Sequence, residues 1–419
     1  MGILPRYLSL VNPIWIHAVS VGEAMAVRGL FSGLAKAYAD KKFIISTVTS
    51  TGNKIAKSIA RDNDLVTYLP LDFSFIVRKV IDKANPGLFI IAETEIWPNL
   101  ISYLYKRNIP VVVVNGRISD NSFKGYMLIK FLLRPILNKV ALFCVQTERD
   151  AQRLLKLGVY EDKVKVTGNM KFDIKDYTDS KKTCLPEQVR DYTDLKQKLG
   201  LEVKGKLFVS ASTHPGEEEI ILKVYKDLLR DYSSLRLLIA PRHPERAKEV
   251  EKTVLKNGFR PFRISQLNGQ TGKWFDRLTI PRTIPSEVEG RANGQTVFIL
   301  DTIGQLMNYY AISDIVFVGG SLVKKGGHNI LEPASLGRPV LFGPHMFNFR
   351  DIAELFLKNQ AAILVHNQKE LREKIKDLLS NSSLATQFCQ RAQELILGNQ
   401  GATQKNAGLI KNLYAKISL

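Results

Sequence analysis

The sequence predicts an α/β protein of two Rossmann-like, doubly wound domains facing a cleft, on three observations. Short, uninterrupted apolar runs alternate with helical periods through both halves of the chain, the pattern of parallel strands covered on both faces. The alternation stops in a polar, charged stretch and then restarts. Many apolar runs end in clusters of Gly, Glu, His, Asn or Arg, and the carboxyl ends of strands are where such sheets bind ligands. The expected boundaries are a first domain at 1–175, an interdomain segment at 176–205, a second domain at 206–390, and a C-terminal helix at 391–419 that can pack back on the first domain.

In chain order, Ile14 to Ala18 is an apolar run before a turn and reads as the first strand. A helix follows from about Gly22 to Tyr38, a strand from Phe43 to Val48 and a helix from Gly52 to Arg61. Leu65 to Leu69 is a strand, and the helix from Phe73 to Lys83 stops before Asn85-Pro86-Gly87, residues that end helices. Strands at Leu88 to Ala92 and Val111 to Asn115 flank a helix that opens at Pro98, where proline is tolerated. The helix Tyr126 to Asn138 is expected to break near Arg134-Pro135. Ala141 to Val145 and Val164 to Thr167 close the first half.

The second half repeats the scheme: strand Leu207 to Ala211, helix to Arg230, strand Leu235 to Ala240, helix to Asn257, strand Phe259 to Ile264. Residues 266–295, rich in Gly, Pro, Thr and Arg, read as an exposed loop. Then come strand Val297 to Leu300, helix Ile303 to Ser313, strand Ile315 to Val318, a glycine-rich stretch, strand Pro339 to Phe342 and strand Ala361 to Val365. Amphipathic helices run from Lys369 to the end.

The 419 residues carry a net charge of +20, which speaks to partners rather than to fold. Nucleic acid, an anionic membrane and an acidic substrate are the candidates, and no RNA-binding or zinc-finger signature is present. The three cysteines, Cys144, Cys184 and Cys389, show no CxxC spacing, which argues against a zinc site or a disulfide framework. No apolar run is long enough to span a bilayer.

Chemistry concentrates at strand ends. In Gly319-Gly320-Ser321 through Gly326-Gly327-His328-Asn329, a strand runs into two glycine pairs and a helix start. That arrangement presents backbone N–H groups to a phosphate, and Glu332, one turn into the helix, can accept from ribose hydroxyls; Asn329 and Glu332 also fit helix capping. Glu23 stands at the start of the first helix, where the dipole is expected to keep it ionised as a general base; Ser20-x-x-Glu23 is equally a capping box. Glu93 and Glu95 share a face, suited to a polar site, if their strand persists, and are otherwise first-turn acids of the helix that opens at Pro98. Lys171 can reach an anion, and Arg242 can neutralise the phosphate of a departing nucleotide. Asp301-Thr302-Ile303-Gly304-Gln305 can line a base or phosphate pocket.

The ordered runs HAVSVGE, AETEIWPNL, GNMKFD, STHPGEEE, APRHPER, DTIGQL, FVGGSLVKKGGHNILEP and FGPHMFNF resemble the bacterial Kdo transferases of lipopolysaccharide assembly, over most of the chain. The resemblance implies a GT-B fold and inverting transfer of Kdo (3-deoxy-D-manno-octulosonic acid) from CMP-Kdo to a lipid A precursor. It gives the first domain the acceptor and the second the CMP-sugar. Position by position it implies Glu23 as general base, and Glu93 and Lys171 as transition-state stabilisers. Pro241, Arg242, Ile303, Gly304, Gln305, Asn329, Ile330, Leu331 and Glu332 correspond to CMP contacts. It implies no cofactor and no catalytic metal. The partners expected are CMP-Kdo, the lipid A precursor and an anionic membrane surface, without nucleic acid, at the cytoplasmic face of the inner membrane. Attachment there is peripheral or through an anchor not in this sequence. The family often has Glu where Gln305 stands, and the 266–295 loop is longer than the resemblance predicts. The alternatives are another GT-B enzyme with a different sugar nucleotide, or a basic adaptor for membranes or nucleic acid.

Overall fold

The structure, a computed structural model, describes residues 11–173, 189–201, 205–267 and 295–417. The chain divides into two compact units, Met1–Lys175 with Asn399–Leu419, and Asp176–Gly398.

The first unit is built on strands β1 (Ile14–His17), β2 (Phe43–Thr47), β3 (Leu65–Tyr68), β4 (Leu88–Ala92), β5 (Val111–Gly116), β6 (Leu142–Val145) and β7 (Val164–Val166). They form one all-parallel sheet in the order 3-2-1-4-5-6-7. The sequence reverses direction across the sheet between β1 and β4, the switch point at which doubly wound sheets open a crevice. Both faces are covered because both are apolar. Trp15, Phe89, Ile91, Val113 and Phe143 belong to one core, and Ile14, Ile16, Phe43, Ile90 and Val112 to the other. Each such side chain, taken out of water, contributes about 1.5–3 kcal/mol.

Helices α1 (Val21–Ala37), α2 (Ser50–Ile59), α3 (Ser74–Ala84), α4 (Pro98–Lys106), α5 (Asp120–Leu128), α6 (Lys130–Leu137) and α7 (Glu148–Lys156) connect the strands. The last helix, Ala402–Ile417, lies in this unit. Its Ala402, Ile410 and Tyr414 join the core beneath α1. The Asp173 carboxylate accepts from the N–H groups of Gly401 and Thr403, and Asn406 donates to Thr167 Oγ1. Asp173 thus satisfies two of the backbone donors that any helix start leaves over.

The second unit repeats the plan with β8 (Lys206–Thr213), β9 (Leu235–Pro241), β10 (Arg260–Arg263), β11 (Thr296–Ile299), β12 (Ile315–Val318), β13 (Val340–Phe342) and β14 (Ile363–Leu364). These run parallel in the order 10-11-9-8-12-13-14, so the switch point falls between β8 and β12. Its helices are α8 (Val189–Lys198), α9 (Glu217–Leu228), α10 (Ala247–Lys256), α11 (Leu306–Ile312), α12 (Leu331–Ser335), α13 (Arg350–Lys358), α14 (Gln368–Ser380) and α15 (Ser382–Gly398).

Several expectations are corrected. The chain breaks at Ile129, between α5 and α6, while Pro135 sits inside α6. The ring's fixed φ suits a helix, but it removes one backbone bond and crowds the carbonyl of Phe131, costs this short helix carries without ending at Pro135. The stretch read as an interdomain segment contains α8, followed by the buried Leu199 and Leu201. A boundary at residue 390 would cut α15, whose Ala392 and Ile396 are buried; the two units divide after Gly398. Helices α7 and α13 were not anticipated. Of the 266–295 loop, residues 268–294 lie outside the described residues, as does Cys184.

Candidate active site

The first site grows from the switch point of the first sheet. β1 ends at His17, and Ser20 caps α1 by accepting from Glu23 N–H at 3.4 Å. The Glu23 carboxylate folds back: Oε2 accepts from Val19 N–H at 2.7 Å and Oε1 from the Ser20 hydroxyl at 2.9 Å. The capping arrangement is therefore real, and the same hydrogen bonds hold the carboxylate in one position. Only 8% of Glu23 is exposed. Burial, and then the charges of Glu93 and Glu95, push its carboxyl up to about 7 against the pull of its two hydrogen bonds. This corrects the expectation of an ionised acid held by the helix dipole. Removal from water outweighs the dipole, and the group is poised between its two protonation states near neutrality.

β4 ends at Ala92, and Glu93 takes a left-handed backbone conformation, φ 59°. The strand does not persist, so Glu93 and Glu95 do not share a strand face. A non-glycine side chain held there costs of order 1–3 kcal/mol, and such strain clusters at functional sites. Glu93 N–H donates to Val114 O at 2.8 Å, tying the turn to β5. Its carboxylate meets Lys171 Nζ at 2.8 Å, with both side chains about a quarter or less exposed. Lys171 is delivered by a short helical turn, Met170–Phe172. Asn169 Oδ1 accepts from Lys171 N–H, and the fully buried Asn115 Oδ1 accepts from Met170 N–H, both at 2.9 Å.

Beside these acids, buried His17 meets Ser46 through Nδ1, and burial holds it down at about 4. His17 Nε2 and Trp97 Nε1 have no hydrogen-bond partner among the described residues, and the two rings meet edge to face at 6.2 Å. The structure therefore brings Glu23, Glu93 and Lys171 to one sheet edge. The supporting roles of Asn115 and Asn169 were missed; the run GNMKFD held the second of them.

The second site lies at the switch point of the second sheet. The first amides of the glycine-rich turn after β12 are turned inward. Buried Glu217, at the start of α9, accepts from the N–H groups of Gly320 at 2.7 Å, Ser321 at 3.0 Å and Leu322 at 3.0 Å, and from His214 N–H at 3.0 Å. An internal carboxylate has taken the place expected for a phosphate. Gly319 is obligatory beside it, since a Cβ would stand 2.8 Å from Ser212 O and 2.9 Å from Glu217 Oε2.

Around this core the expected donor-site residues take up separate positions. Pro241 ends β9, and exposed Arg242 follows, its N–H bonded to Thr213 O at 3.0 Å. Asn329, one residue before the Ile330 cap of α12, accepts from Leu331 N–H at 3.1 Å and donates through Nδ2 to Glu332 Oε1 at 3.1 Å. Ile330 and Leu331 are buried beneath. Burial raises the Glu332 carboxyl, while Asn329 and the Arg242 charge pull it down. Glu332 is thus close enough to feel Arg242. Ile303 is 82% exposed, Gly304 has φ 86°, and Gln305 accepts from the Thr302 hydroxyl at 2.9 Å. Among the described residues no three His, Cys, Asp or Glu side chains are grouped to hold a metal ion, and no helix is long and apolar enough to cross a membrane.

The model of the 3-deoxy-D-manno-octulosonic-acid transferase (Kdo transferase) family matches residues 2–174, and that of the group 1 glycosyl transferases matches residues 283–395. A 3-deoxy-D-manno-octulosonic acid transferase of Haemophilus influenzae is 36% identical over 399 residues, covering 95% of this chain and 86% of that protein. One of Rickettsia felis is 32% identical over 389 residues, covering 92% and 76%. A solved UDP-GlcNAc 2-epimerase of Neisseria meningitidis, 13% identical, matches with a TM-score of 0.60 over 95% of this chain and all of that one, a likeness of fold. With its two parallel-sheet units of GT-B type and this identity along nearly its whole length, the chain belongs to the Kdo transferase family of glycosyltransferases.

Proposed function

We propose that this enzyme moves Kdo from CMP-Kdo to a hydroxyl of a lipid A precursor, with inversion at the sugar carbon and without a metal. The observation that carries the reading is Glu23, a buried carboxyl fixed by Val19 and Ser20 and poised at about 7. A general base works best when its pKa lies near the working pH. In the reaction the acceptor hydroxyl gives its proton to Glu23 while its oxygen bonds to the Kdo carbon and CMP departs with the electrons of the broken bond. Glu93 and Lys171 act together at the same sheet edge. Lys171 supplies positive charge where negative charge develops, and Glu93 holds it in place. Arg242 meets the leaving phosphate, Glu332 accepts from ribose hydroxyls, and the Pro241, Ile303-Gly304-Gln305 and Asn329-Ile330-Leu331 segments complete the CMP contacts. Exposed Ile303 offers an apolar face to the base.

The same reading puts the enzyme on the cytoplasmic face of the inner membrane. Leu128 is 82% exposed and Phe131 75%, with Met127, Ile129 and Leu132 also exposed, beside Lys124, Lys130 and Arg134. Such a mixture suits an anionic interface. Calorimetric titration with CMP and with UDP tests the donor: CMP should bind and UDP should not. Binding of UDP in preference to CMP would mean a different sugar nucleotide.

A further inference from the structure

The second site contains a histidine cluster with no role in the mechanism above. His214 follows β8, His328 closes the glycine-rich stretch, and His243 follows β9. The Nε2 atoms of His214 and His328 are 2.9 Å apart, their planes differ by 6°, and their centroids are 5.2 Å apart. That centroid separation is what two rings joined tip to tip by a bond of that length would span. The imidazoles therefore lie in nearly one plane and share a hydrogen, rather than stacking face on face. Gly320, with φ 67°, makes room for them: a Cβ there would stand 3.0 Å from His328 Nε2 and 3.2 Å from His214 Cδ2. His243 meets His214 edge on at 6.4 Å.

The surroundings are cationic. Arg242, Arg246 and Lys325 act on His214, and Arg242 on His328. The nearby acids are engaged elsewhere. Glu217 holds four backbone N–H groups, Glu218 binds Thr213 Oγ1 and Arg246, and Glu332 binds Asn329. Burial first, then these cations, hold His328 down at about 3 and lower His214. Both shifts favour the neutral rings, and the 2.9 Å contact between the two Nε2 atoms uses one N–H and one lone pair. Of the two outward Nδ1 atoms, one is then a donor and the other an acceptor.

We propose that the His214–His328 pair, with Arg242 and Lys325 beside it, receives an oxyanion of the sugar-nucleotide donor and takes up one proton from solvent when that oxyanion arrives. The inference rests on the reading of the second unit as the donor site. The proton adds to the free Nδ1 and the shared N–H···N bond survives. Both outer nitrogens become donors, and one ring becomes a charge-assisted partner for the anion. The arriving charge offsets the cations that, after burial, disfavour a charge on the pair. Glu217 already holds the N–H groups of Gly320, Ser321 and Leu322, so those three amides are not free for the anion. Two oxyanions qualify, the nucleotide phosphate and the sugar carboxylate.

The test is calorimetric titration of the full chain at pH 6.5 in two buffers of different ionisation heat, with CMP, free Kdo and cytidine, on the wild type and on His214→Asn. An oxyanion-bearing probe should bind the variant at least about tenfold more weakly, the loss of a charge-assisted hydrogen bond. The same probe should carry more protons into the wild type than into the variant, while cytidine should bind both alike. An effect with CMP identifies the phosphate, and one with Kdo the carboxylate. Equal affinity and equal proton uptake for both proteins would overturn the proposal. Should the variant not fold, 15N spectra of the wild-type rings decide. Conversion of one ring to imidazolium on adding CMP or Kdo supports the pair, and two rings that stay neutral overturn it. If neither CMP nor Kdo binds the wild type, the donor reading fails. Inorganic phosphate perturbing both ring signals would then still support the oxyanion site, and its failure to do so would refute it.

Discussion

Replacing Glu23 with Gln separates the chemical role of this residue from its structural one. The amide is nearly isosteric. Its oxygen can keep the 2.7 Å bond from Val19 N–H, and its NH2 can donate to Ser20 Oγ in place of the bond now running from that hydroxyl. The fold should therefore survive. Turnover should fall by about two to four orders of magnitude, the usual contribution of a general base. The stability of the variant carries a second, independent sign. In the wild type the folded carboxyl sits at about 7 against an ordinary value of 4.5. The folded state therefore holds its proton more tightly than the unfolded one. That contributes stability below pH 4.5, which is lost as pH rises to 7, about 3 kcal/mol in all. Glu23→Gln has no such loss, so its stability relative to wild type should rise over that window. The assays are product formation and denaturant titration, each across pH 4.5 to 8.5. Wild-type turnover should drop about tenfold per unit below its midpoint. A folded variant with near-wild-type turnover, or a wild-type rate that is flat across pH 6 to 8, would return Glu23 to a capping residue only.

Four further outcomes are expected. Glu93→Gln removes a charge that raises Glu23, so the acid limb of the rate profile should move to lower pH even as the maximum falls; an unmoved limb would separate the two carboxylates. Glu332→Ala should weaken CMP binding by about 1–3 kcal/mol as ribose hydroxyls lose their acceptor, read by calorimetry on folded protein. Glu217→Ala leaves four N–H groups without their carboxylate, each costing about 1–3 kcal/mol if it stays buried; a large drop in melting temperature and loss of CMP binding should appear together. Binding to anionic vesicles should fall steeply with salt and weaken in Leu128→Ser with Phe131→Ser; vesicle co-sedimentation unaffected by both would place attachment elsewhere.

Much of the fold was legible because its strands are apolar on both faces. Ile14 to His17, Leu88 to Ala92 and Val111 to Asn115 could be little else. Strand order was not legible, since parallel pairing depends on crossovers that leave no mark in composition. The α8 segment hid because its charged surface resembles a linker; what ties it down is Leu199 and Leu201 just beyond it. At the sites, the residue types at strand ends were visible, and their couplings were not. Glu93 turning to φ 59° and Glu217 filling the glycine turn are tertiary events. The rise of Glu23 to about 7 comes from burial and from acids some seventy residues away. The His214–His328 bond joins residues separated by 114 positions, which no spacing in the sequence announces.

The most direct measurement is product analysis with purified protein, CMP-Kdo and a lipid A precursor in mixed micelles, following both the acceptor by mass spectrometry and the release of CMP. The acceptor should gain Kdo, with one CMP released for each residue transferred, and Glu23→Gln should show neither. No transfer from CMP-Kdo by folded wild-type protein, with transfer from another sugar nucleotide under the same conditions, would contradict the proposed reaction.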